Sequence, residues 1–120
     1  MQKSLISLLV AIPFFASAGD LNKSLTLWQP VSVSNENSQL TIKLPQPRIT
    51  DAIFKQVISA GVCSVVWDGT DLPDVKSVLV ANESGKQGYI FEGGTPECKE
   101  MGELSGEQSS IYLLGKTRQM

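Results

Sequence analysis

The sequence predicts a small α+β domain: an antiparallel sheet of about five or six strands, one helix packed on one face, and one disulfide. Three observations carry this expectation. Short segments rich in β-branched residues, several alternating apolar with polar positions, recur along the chain. One segment, beginning at Thr50 or Asp51, carries an apolar stripe at helical spacing instead. Cys63 and Cys98 are the only two cysteines in 120 residues.

The chain opens with Lys3, an apolar run from Leu5 to Phe15 interrupted by Ser7 and Pro13, and then Ala16-Ser17-Ala18. That order of charge, apolar core and A-x-A reads as a secretory signal cleaved between Ala18 and Gly19. The run is far short of the ~20 residues a membrane helix needs, and no cysteine beside the cleavage point offers a lipid anchor. Residues 1–18 are therefore expected to be a removed leader. Residues 19–120 are expected to form a single periplasmic or secreted domain, with no membrane anchor after cleavage.

Residues 19–24 read as a loose polar start. Leu25, Leu27, Val31 and Val33 alternate with Thr26, Ser32 and Ser34 as in a strand, although Pro30 breaks any ladder there. Residues 34–38 have turn composition. Leu40, Ile42 and Leu44 alternate strictly with Thr41 and Lys43, completing an N-terminal hairpin that Pro45 and Pro47 end. Thr50 or Asp51 then caps a helix whose stripe is Ile53, Phe54, Val57 and Ile58, with Asp51 and Lys55 as an i,i+4 pair and Gly61 as its stop.

Val62 to Trp67, compact and β-branched, reads as a central strand bearing Cys63. Residues 68–74 are loop. Residues 76–81 and 87–92 flank Asn82 to Lys86 as a second hairpin, with Gly85 free to take a positive φ. Cys98 falls in a polar, Glu-rich connection running through Gly102 and Gly106. Residues 110–115 read as the last strand and 116–120 as a frayed tail.

Composition narrows function by exclusion. Ten basic against twelve acidic residues give a formal net charge of −2, and losing Lys3 with the leader makes the mature chain one unit more acidic. The charge is dispersed, which argues against nucleic acid and against a polybasic membrane surface. In an oxidising compartment Cys63 and Cys98 are expected to pair, closing a loop worth roughly 3–4 kcal/mol. The chain has no histidine, which removes Ser-His-Asp and Cys-His catalysis and His-containing zinc sites. Neither GxGxxG nor GxxxxGK occurs. The expectation is accordingly no enzyme, no cofactor and no metal.

Candidate surfaces remain. Asp68, Asp71 and Asp74 crowd the loop after Trp67. They could offer oxygens to Ca²⁺, but the spacing lacks the EF-hand pattern, and aspartate beside Gly and Pro is ordinary turn chemistry. Tyr89 and Phe91 share one strand face between glycines, which suits a partner contact, although packing against the helix is the weightier reading. Trp67, ending an apolar run beside a polar loop, is the aromatic best placed for recognition, with a buried role as its competitor. Glu97, Glu100, Glu103 and Glu107 suggest a solvated acidic surface. The expected function is an exported protein-binding module, such as a periplasmic inhibitor or immunity protein acting stoichiometrically on another envelope or secreted protein. Its site would draw on Trp67, Asp68, Asp71, Asp74, Tyr89 and Phe91. The alternative is a structural accessory of a secretion, conjugation or envelope assembly.

Overall fold

The computed structural model describes residues 20–120, so the leader expected over residues 1–18 lies outside the described residues. A helical turn over residues 20–24 and a 3₁₀ turn at Thr26–Trp28 lead into strands β1 (Ser32–Glu36) and β2 (Gln39–Lys43). Helix α1 (Asp51–Gln56) continues through a π-helical stretch (Val57–Val62) into α2 (Cys63–Trp67). Strands β3 (Ser77–Ala81) and β4 (Gly88–Phe91), helices α3 (Thr95–Gly102) and α4 (Gly106–Gly115), and strand β5 (Thr117–Gln119) complete the chain. The class is α+β, with a five-stranded sheet in the order β1-β2-β3-β4-β5.

Both expected hairpins form, but the first is shifted: residues 26–28, expected in its first arm, are a 3₁₀ turn, and residues 34–36, expected as its turn, are strand. In β1–β2, Asn37 and Ser38 take φ of +54° and +64°, the left-handed pair that matches strand twist in a two-residue turn and that Asn tolerates well. Strands β3 and β4 pair antiparallel, Val78 opposite Phe91 and Val80 opposite Tyr89. Their connection is organised by Asn82, which is nearly buried. Its Oδ1 accepts from the Lys86 and Gln87 amides at 3.0 and 3.1 Å and from the Ser84 hydroxyl at 3.2 Å, while Nδ2 donates to the Pro47 carbonyl at 2.9 Å.

The sheet is mixed, not wholly antiparallel. Strands β2 and β3 run parallel, with Leu40 beside Val78 and Ile42 beside Val80, because the helix between them returns the chain to the starting end of the sheet. Leu40, Ile42, Val78, Val80 and Phe91 form one core with Phe54, Val57, Ile58 and Val62 of the long helix. The opposite sheet face carries the smaller cluster Leu79, Ala81 and Ile90.

Four further expectations need correction. Residues 62–67 are helix, not a central strand. Val62, Cys63, Val65 and Val66 are buried while Ser64 and Trp67 are not, a helical rhythm that continues the stripe begun by Phe54, Val57 and Ile58. Gly61 is no stop: the wide π-helical turn carries the chain through it. The Ser24 hydroxyl donates to its carbonyl at 2.6 Å and the Ser64 hydroxyl at 3.1 Å. A Cβ at Gly61 would lie 2.7 Å from Leu25 Cδ2 and 3.2 Å from the Trp28 ring, so glycine is there to let the N-terminal turns pack down. Cys98 sits in helix α3, not in a loop. Residues 110–115 belong to helix α4, and the last strand comes after them, so the single expected helix becomes several.

Candidate functional site

Helix α2 ends where Gly69, at φ +104°, turns the chain out, with the Thr70 amide donating to the Val65 carbonyl at 2.8 Å. The loop that follows is fixed to helix α3. The Leu72 amide donates to the Thr95 hydroxyl oxygen at 2.7 Å, and Lys99 approaches Asp71 at 3.8 Å across an exposed pair. At the start of α3 the Glu97 carboxylate accepts from the Gly94 amide at 2.7 Å, favoured by the positive end of the helix dipole.

The disulfide joins the two helices: Cys63 of α2 bonds to Cys98 of α3, with both residues fully buried. One turn along α2 from Cys63 lies Trp67, and one turn along α3 from Cys98 lies Gly102. The indole Nε1–H donates to the Cys98 carbonyl at 2.7 Å. A Cβ at Gly102 would stand 2.5 Å from that same nitrogen, so glycine is what lets the ring lie against α3. The remaining edge of Trp67 is open, leaving the residue 46 % exposed.

The expected site residues therefore separate. Trp67 and Asp68 close α2, Asp71 and Asp74 follow along the loop, all four are exposed, and Asp74 takes φ +59°. Phe91 is fully buried in the core, and Tyr89 is half-buried with its ring 5.5 Å from that of Phe54. The aromatic pair on β4 thus packs against the helix and lies apart from the acidic loop. Among the described residues, no group of three or more His, Cys, Asp or Glu side chains is arranged to hold a metal ion.

One feature of this region escaped the sequence reading. Beyond Asp71 the loop forms a wall of an open, mainly apolar groove of about 350 Å³, lined by Leu21, Val33, Leu40, Leu72, Pro73 and Val75. The signal was faint, since its residues come from four separate stretches of chain. Apolar side chains also stand exposed on α4, where Ile111 and Leu114 are a helical turn apart.

Tyr112, on the other side of α4, packs against the core with Lys116 5.7 Å from its ring centre. Burial first, then the Glu100 carboxylate and the charge of Glu97, push its hydroxyl pKa up to about 12. No helix among the described residues is long and apolar enough to cross a membrane. Comparison of the chain with protein-family models, with curated proteins and with solved structures finds no match.

Proposed function

We propose that the protein is an exported binding module that engages another envelope or secreted protein through the surface running from Trp67 along residues 68–75. The observation that carries this reading is the pinned loop. The Thr95 hydroxyl ties it to α3 at Leu72, and along residues 67–75 it offers the exposed indole of Trp67, the exposed carboxylates of Asp68, Asp71 and Asp74, and the groove wall at Leu72 and Pro73. A partner docking there would meet apolar anchors rimmed by charge, and little ordering cost would oppose it. The acidic rim favours a partner whose matching surface is basic. The leader-like start and the disulfide support export to the periplasm or beyond. The protein would act stoichiometrically, as an inhibitor or immunity protein does.

Crosslinking of the mature protein to its native envelope, comparing the wild-type surface with Asp68→Lys and Pro73→Arg, tests this. Each substitution is expected to weaken capture of a specific partner about tenfold while circular dichroism stays unchanged. Equal capture by all three proteins would remove the ridge from consideration. A second reading, a structural accessory in an envelope assembly, is favoured by strand β1. It is an edge strand paired only with β2 and largely exposed, the kind of edge that accepts an added strand.

A further inference from the structure

Trp67 has a second edge, turned inward, and it bears on the disulfide. The indole lies one helical turn from Cys63 and is hydrogen-bonded to the carbonyl of Cys98 itself, so it spans the two residues that the bridge joins. Around the bridge, Val62 and Val66 on one helix and Met101 on the other are buried core, whereas Ala60, Lys99 and Gly102 are exposed. Of the exposed neighbours, Trp67 is the one whose side chain is hydrogen-bonded to a bridged cysteine. Displacing the indole would open the seam between α2 and α3 beside the bridge.

We infer that Trp67 gates the Cys63–Cys98 disulfide, closing it to thiol exchange as long as the indole stays bonded to the Cys98 carbonyl and flat against Gly102. Reduction by a dithiol proceeds when its thiolate attacks one Sγ and expels the other as thiolate. The second thiol of the reagent then closes on the mixed disulfide, so that two electrons and two protons pass to the cysteines. Attack needs a sulfur open to the reagent, which the folded state denies on both sides. The bridge thus remains a permanent staple even where small thiols are present, and is reduced only when the α2–α3 contact at Trp67 opens. This duty uses the inner edge of the indole and does not rest on the partner proposed for the outer surface.

The test is the rate of reduction of the mature protein by dithiothreitol, followed by maleimide trapping of new thiols. Trp67→Ala, Trp67→Phe and the remote core variant Leu40→Ala are compared with wild type at urea concentrations that equalise global stability. Trp67→Ala is expected to be reduced about tenfold faster than Leu40→Ala at matched stability. Trp67→Phe, which keeps a ring but loses the N–H donor, is expected to fall between them. Equal rates for the Trp67 variants and Leu40→Ala would overturn the gate, as would reduction of the wild type at the rate of the unfolded chain. If Trp67→Ala does not fold, Trp67→Phe alone decides by the same comparison. Loss of partner capture with no change in reduction rate would end this inference and leave the proposed binding surface standing.

Discussion

Asn82 uses its whole carboxamide: two backbone amides and a hydroxyl on the oxygen, and a carbonyl from the segment before α1 on the nitrogen. Gln87 adds a second tie to that segment, accepting from the Ile49 amide at 2.6 Å and donating to its carbonyl at 2.9 Å. The β3–β4 loop is therefore clamped to the entry of the long helix. Removing the carboxamide strands two backbone amides in a half-buried loop and frees the Pro47 carbonyl. Asn82→Ala is expected to lower stability by about 2–3 kcal/mol in urea unfolding. Asn82→Asp, which keeps the acceptors, is expected to lower it by less. A loss below about 0.5 kcal/mol for the alanine variant would mean that water replaces these bonds without cost. Sequence could mark this stretch as a hairpin turn, because Asn, Ser and Gly supply turn chemistry locally. It could not show that the Asn82 side chain reaches Pro47, since that contact depends on where the two hairpins come to lie.

At the scale of elements, the helix from Asp51 to Trp67 shows how far pattern reading carried. Its start was legible, because Thr50 caps it: the hydroxyl oxygen accepts from the Ile53 amide at 3.2 Å. Its continuation was written in the stripe of Phe54, Val57, Ile58, Val62, Val65 and Val66, all buried. Gly61 and the β-branched run after it argued for a break, and tertiary packing overrode those local preferences. The parallel pairing of β2 and β3 follows from that continuous helix, so reading residues 62–67 as a strand also misread the sheet. Helix α4 was missed because Gly106 and a run of weak helix formers hide it, and its Leu113 is the residue that anchors it to the core. Tyr112 makes this helix testable. Because its folded-state pKa is raised to about 12 from the ordinary 10.0, the folded protein holds the proton where the unfolded chain has lost it. The tyrosine's contribution is complete below pH 10 and falls away as pH rises toward 12. Stability of the wild type is expected to decline across that interval by more than that of Tyr112→Phe. The comparison can be made by urea unfolding at several alkaline pH values, with the phenolate absorbance followed in parallel. Identical slopes for the two proteins would remove Tyr112 from the alkaline transition.

Across the whole molecule, the disulfide joins α2 to α3 across the loop and two strands that separate them in sequence. Cys63 lies in the helix that crosses the core. Cys98 lies in α3, beyond two strands and the pinned loop, at a sequence separation of 35. Strand β5, only three residues long, is an edge strand reached through α3 and α4. The expectation of a paired cysteine couple was legible from their number, whereas the elements carrying the two residues were not, because each lies in helix where local composition suggested strand or loop. A cross-link of this span acts chiefly on the unfolded chain, whose freedom it removes, while in the folded state the helices are already packed. The double variant Cys63→Ala/Cys98→Ala is therefore expected to keep the same sheet and helices by circular dichroism but to lose roughly 3–4 kcal/mol in urea unfolding. Each substitution deletes a buried sulfur and leaves only a methyl side chain, so packing would add a further modest loss. The dependence of unfolding free energy on urea should also steepen, because the uncrosslinked unfolded chain exposes more surface. The two readouts separate the causes: a stability loss with an unchanged urea slope would assign the effect to packing in the folded state. A loss under about 1 kcal/mol would show that the Trp67–Gly102 contact and the buried Met101 hold α3 in place without help from the bridge.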